Sequence, residues 1–113
     1  MSRKASGLKA WVLQRATAIY IGLFAIYLLL VLLMAPPADY AAWRDWFASP
    51  LMGIATLLFI VSILLHAWVG IRDVVIDYVW HTPARVTVLT LVALALVACG
   101  LWASQSLILV RLV

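Results

Sequence analysis

Charge is scarce in this sequence, and its distribution decides the class of protein. Only 11% of the 113 residues are charged, and no Asp, Glu, Lys or Arg falls within 16–38, 46–71 or 86–110. With 68% apolar residues and a mean hydropathy of +1.17, a soluble domain of this length could not hide its apolar surface. Acidic residues are absent before Asp39. The net charge of +4 comes from basic residues that flank apolar segments instead of forming a patch, which excludes a nucleic-acid partner. A single cysteine, Cys99, excludes an internal disulfide and a thiolate metal cluster; it reads as a small packing residue in a helix. Alternating apolar and polar segments are missing, so a membrane barrel is excluded too. The four prolines, Pro36, Pro37, Pro50 and Pro83, lie only at the ends of the uncharged stretches or between them.

What remains is an all-α integral membrane protein. A bilayer core needs roughly 20 helical residues at about 1.5 Å each, and each uncharged stretch exceeds that. Backbone groups in lipid must pair internally, so three helices follow, at about 16–36, 50–77 and 86–110, in one domain covering 1–113. The opening "MSRKASGLKAWVLQR" resembles the basic region of a signal peptide. The apolar run after it is too long for that and lacks an A-x-A site, so it reads as a first span that stays.

Arg3, Lys4, Lys9, Arg15, Arg72 and Arg85 fall on one side of the membrane, against Arg44 and Arg111 on the other. This places the N-terminus in the cytoplasm and the C-terminus in the periplasm. Trp11 and Trp80 then mark the inner interface, and Trp43 and Trp46 the outer one. Ala18 with Gly22, and Ala95 with Cys99 and Ala103, repeat small residues at the spacing that lets membrane helices approach closely.

The chemistry concentrates in "SILLHAWVGIRDVVIDYVW", residues 62–80. At about 100° per residue, Ser62, His66, Gly70, Asp73 and Asp77 share one helix face, and Tyr78 lies about 120° from His66. His66 precedes Arg72 by about 9 Å of helix, within the inner half of the membrane. An ionisable side chain at that depth marks a functional site by default. Three roles suit it: ligand to haem iron, proton relay, or a hydrogen bond between helices. Gly70, one turn on, removes bulk where a macrocycle would lie. Ser62, one turn back, supports the ring or bonds its own backbone. His81, beside Pro83, reads as a solvated loop residue. A haem held by His66 and a second protein ligand would therefore take that second ligand from another chain. Asp77 and Tyr78 sit at the inner interface, either as a solvated helix end with an aromatic anchor or as quinone-binding groups. A phenol can donate to a quinone carbonyl, and a carboxylate can support proton delivery. Arg15 suits a haem propionate or a lipid phosphate.

The segment "HAWVGIRDVVIDY" resembles the second-helix signature of the succinate dehydrogenase hydrophobic membrane anchor, the D-type subunit of bacterial complex II, and "QRATAIY" resembles that family's first helix. The H-A-W-x-G-x(6)-D-Y pattern is the specific part, and length, span number and short loops extend the resemblance along nearly the whole chain. The resemblance implies an anchor of succinate:ubiquinone oxidoreductase in the bacterial inner membrane, without dehydrogenase activity of its own. It implies that His66 is one axial ligand of haem b, with the other from a cytochrome b556 subunit, and that Arg15 lies near the haem propionates. Asp77 and Tyr78 would line the ubiquinone pocket, with an iron-sulfur subunit and a flavoprotein as further partners beside membrane lipids. The stretch "IRDVVI" departs from relatives that carry a tryptophan-glutamine pair there, so Arg72 and Asp73 are not assigned to the site. Two other readings stay open: a haem-free structural anchor, as in some fumarate reductases, and a small proton-relay protein using His66 and Asp77.

Overall fold

A computed structural model of the chain describes the backbone of residues 3–112 and the side chains of residues 7–112; the side chains of Arg3 and Lys4, counted above for orientation, lie outside it. Four helices run in order: α1 (Arg3–Met34), α2 (Tyr40–Ala48), α3 (Pro50–Tyr78) and α4 (Thr82–Leu112). Three segments are long and apolar enough to cross a membrane: Gly7–Met34, Pro50–Tyr78 and Thr82–Leu112. At about 1.5 Å per residue their 28, 29 and 31 residues exceed a hydrocarbon core of roughly 30 Å, so each helix reaches beyond it at its ends. The three expected apolar helices are present, and they are longer than the uncharged stretches suggested. Charge sets where lipid stops, whereas the backbone ladder continues into the headgroups. Arg85, expected in a loop, therefore lies in the first turn of α4. Pro83 suits that turn because its missing N–H is one of those left unpaired at a helix start.

The short α2 was not expected. Asp39 begins it, its carboxylate Oδ1 accepting the Ala42 N–H at 2.9 Å. Ser49 ends it, with extended backbone (φ −63°, ψ 144°), the conformation that a following proline favours. The same serine starts α3, its Oγ accepting from the Met52 N–H at 3.4 Å with Pro50 in the first turn. Trp43, Trp46 and Phe47 pack together on α2, and Trp46 also meets Tyr27 of α1 at 6.2 Å between ring centroids. Aromatic side chains on a short polar-ended helix suit a membrane interface.

Helix α3 is the centre of the bundle. It lies against α1 on one side and α4 on the other, while α1 and α4 make no backbone approach among the described residues. Both seams are antiparallel. Along α1 and α3, Thr17 meets His66, and the Phe24 and Phe59 rings meet at a tilt with centroids 4.6 Å apart. The Tyr20 hydroxyl also donates to the Ala55 carbonyl at 2.6 Å. Along α3 and α4, Gly100 is buried against Leu64, and the Arg111 guanidinium lies over Gly53. The small residues singled out in the sequence do not make these contacts. A side chain on Gly22 would meet nothing within 4 Å, and Ala18, Ala95, Cys99 and Ala103 are exposed on the outside of the bundle. Close approach of α4 runs through Gly100 instead.

A methyl group on Gly100 would collide with Leu64 Cδ1 and lie 3.5 Å from two further Leu64 atoms. Gly100→Ala forces the Leu64 side chain aside and is expected to destabilise the α3–α4 seam by roughly 1–2 kcal/mol, after the ~1 kcal/mol that alanine gains over glycine in a helix is set against the clash. Thermal denaturation in detergent should show a lowered midpoint, and adding Leu64→Ala should restore part of it. An unchanged midpoint in the single variant would contradict the packing.

Candidate functional site

His66 sits midway along the α1–α3 seam, half-buried, where two helices fix it. Its Nδ1 lies 3.1 Å from the hydroxyl of Thr17 on α1, and Thr17 is 6% exposed. The hydroxyl also lies 2.7 Å from the Leu13 carbonyl and 3.1 Å from the Gln14 carbonyl, one turn back in its own helix. No described residue bonds the other ring nitrogen, Nε2, which is accessible where the ring borders an open groove.

That groove has a volume of about 350 Å³ and is lined by Gln14, His66, Ala67, Gly70, Ile71 and Val74. Its wall is otherwise apolar. The low bulk at Gly70 matters here: a Cβ at that position would lie 3.5 Å from the Gln14 Nε2 atom, so the Gln14 amide rests against the bare backbone. The Gln14 Oε1 atom is buried without a hydrogen-bond partner. Among the described residues no three His, Cys, Asp or Glu side chains converge, so an all-protein metal centre is not built here. A single imidazole in an apolar groove instead fits a metal that arrives with its own planar ligand set.

The remaining residues singled out in the sequence lie elsewhere. Arg15 is exposed on α1, with its guanidinium 5.5 Å from the Trp11 ring centroid; it does not line the groove, because it lies about 200° round the helix from Thr17. Asp77 and Tyr78 form the exposed end of α3, about 18 Å along the axis from His66 in the case of Tyr78, whose exposure is 77%. Arg72 pairs with the adjacent Asp73 at 3.2 Å, an exposed contact of little energetic weight. Arg85 donates from Nε to the Val79 carbonyl at 3.0 Å and from Nη2 to the Ile76 carbonyl at 3.3 Å. It thus caps α3 from α4. Neither arginine forms an ion pair with Asp77, whose carboxylate has no such partner among the described residues.

A family model described as succinate dehydrogenase/fumarate reductase transmembrane subunit matches residues 1–103. The chain belongs to that family. Among its relatives is a succinate dehydrogenase hydrophobic membrane anchor subunit of Coxiella burnetii, 39% identical over 105 residues, or 93% of this chain and 91% of the relative. Proteins of the same name from Rickettsia conorii and Rickettsia felis are 32% and 33% identical, covering 79% and 80% of this chain and 71% and 76% of their own lengths. The three apolar helices and these anchors make the chain a multi-pass membrane protein of bacterial type.

For a succinate dehydrogenase anchor, Thr17 and Gln14 are the residues that the sequence did not single out. Both occur in or beside "QRATAIY", the segment that carries half of the family likeness. A hydroxyl and an amide entering an apolar run were the available signal.

Arg85→Met removes two charge-assisted bonds to the last carbonyls of α3, each with a typical value of about 1.5–3 kcal/mol. Amide exchange at Tyr78 and Val79 in the Arg85→Met variant is expected to be at least roughly tenfold faster. Mass-spectrometric exchange of the anchor in its complex would check this, and unchanged protection would remove Arg85 as the cap.

Proposed function

We propose that this chain anchors a succinate:ubiquinone oxidoreductase, holding one face of a haem b and one wall of the ubiquinone-reduction site. The carrying observation is the state of His66: one ring nitrogen engaged by Thr17, the other accessible beside a glycine in an apolar groove. His66 would hold the haem iron from this chain through its free ring nitrogen, and a cytochrome b556 subunit would supply the other protein ligand. When bound, the haem offers a one-electron store between the iron-sulfur subunit and quinone. Gly70 lines the groove on α3 with the Gln14 amide against its backbone, and Arg15, outside the groove, would have to meet a propionate beyond its rim. The N-terminus and the α3–α4 turn face the cytoplasm, in keeping with the excess of basic residues there. The flavoprotein and iron-sulfur subunits dock on that side.

At the end of α3, Tyr78 donates its phenol hydrogen to a quinone carbonyl. The unpaired Asp77 carboxylate, exposed at the surface, relays a proton toward the reduced oxygen. Both groups lie where water reaches, which suits a reaction that consumes protons. The chain alone carries no dehydrogenase chemistry.

The Thr17–His66 bond itself favours a second reading, in which His66 only ties two helices together in a haem-free anchor. Reduced-minus-oxidised spectra of the purified complex separate the two. His66→Ala is expected to abolish the bis-histidine haem absorption, and an unchanged spectrum would defeat ligation by His66. Tyr78→Phe is expected to keep the haem and to slow quinone reduction by about 10²-fold or more, the range for loss of a positioned acid–base group. Normal quinone turnover in that variant would remove Tyr78 from the pocket.

A further inference from the structure

We infer that Thr17 is a positioning residue that fixes the proton of His66 on Nδ1 and so keeps the Nε2 lone pair directed at a metal. This rests on the haem reading above and adds a residue outside the groove to it.

The inference follows from counting one proton. Thr17 has a single hydroxyl hydrogen and three acceptors within reach: the Leu13 carbonyl at 2.7 Å, the Gln14 carbonyl at 3.1 Å and His66 Nδ1 at 3.1 Å. Carbonyl oxygens can only accept. The shortest contact is to Leu13, the helical bond that threonine makes to the carbonyl four residues back. With the hydrogen committed there, the hydroxyl oxygen faces Nδ1 as an acceptor, and a short N···O contact then requires the hydrogen on Nδ1. Thr17 is buried, so water does not compete for either role. The result is a directed chain, from His66 Nδ1–H to the Thr17 oxygen and from the Thr17 hydrogen to the Leu13 carbonyl. Successive bonds of this kind polarise one another. The opposite tautomer would place a hydrogen on Nε2 and block it as a ligand.

Two consequences distinguish this role from simple helix packing. A hydrogen bond to the far nitrogen of a ligating imidazole fixes the ring and raises its basicity as a donor, which favours the more highly charged metal. Loss of the acceptor should therefore raise the haem midpoint potential and weaken retention of the haem. A merely structural threonine would alter assembly and leave the potential of assembled complexes where it was.

The test uses the intact complex with four variants. Thr17→Ser keeps the hydroxyl and is expected to show the wild-type potential. Thr17→Val keeps the shape without an acceptor, and Thr17→Cys keeps the size with only a weak sulfur acceptor, giving a second route to an assembled complex. Both are expected to shift the midpoint potential upward and to lose haem roughly 10- to 100-fold more readily on detergent dilution. Wild-type potential and retention in either assembled variant would overturn the role of Thr17. His66→Ala is the separate control. Loss of bis-histidine absorption there, with normal Val and Cys variants, defeats only the inference about Thr17; retention of that absorption defeats the haem reading and this inference together.

Discussion

The bond between Thr17 and His66 is the contact on which the rest of the site depends. It joins α1 to α3, and α1 lies along α3 with no other close backbone neighbour among the described residues. Its energy is small, since polar bonds between membrane helices average about 0.6 kcal/mol in double-mutant cycles. The tilted contact of Phe24 with Phe59 and close contact along the seam contribute packing that needs no such polar pair. The significance of the bond is therefore orientation. A ring that could rotate freely in an apolar groove is held by one nitrogen, and the other nitrogen is aimed by consequence.

The bundle carries little of its own enclosure. Helix α3 has neighbours on two sides, yet only Met52, Gly53, Val69 and Val75 in it are buried. In lipid this is tolerable, because apolar tails solvate exposed leucines as well as protein does. It also means that close helix approach must come from shape. Gly100 provides it inside the chain. The exposed stripes with Ala18 and Gly22 on α1, and Ala95, Cys99 and Ala103 on α4, have the same shape and no partner within the chain. They are consistent with membership of a family of transmembrane subunits, whose members are parts of larger assemblies.

Span number and helical class were legible from the absence of charge alone, since a helix is the simplest way to satisfy backbone groups across lipid. The ends were legible less well. Arg85 looked like a loop residue because charge was read as the end of helix, whereas its long side chain turns back to cap α3. Helix α2 was hidden because Asp39, Arg44 and Asp45 interrupt the apolar pattern there, and charge between spans was read as loop. His66 and Gly70 were legible because they stand out by type and lie one turn apart on one helix. Thr17 was not. Which residue of α1 faces His66 depends on the rotation of α1 about its axis, and a helix apolar all round gives no pattern from which to read that rotation. The same rotation places Arg15 about 200° from Thr17, away from the groove.

The depth at which each polar group sits follows from what it has to exchange. On the proposed reading, an imidazole that binds metal needs an apolar setting and a fixed tautomer, and His66 stands half-buried between two apolar helices with Thr17 at Nδ1. On the same reading, groups that pass protons to a quinone need water nearby, and Asp77 and Tyr78 are exposed at the end of α3. About 18 Å of one continuous helix separates the two tasks, with the cap by Arg85 holding the outer turn in register with the inner ones. On the proposed reading, a single straight helix thus sets the spacing between the electron store and the proton-consuming site. Neither end is complete: the groove beside His66 is open on one side, and nothing in the described chain covers Tyr78. A half-built site at each end is what a shared centre requires, because a chain that enclosed both ligands by itself would leave its partners no surface through which to deliver electrons.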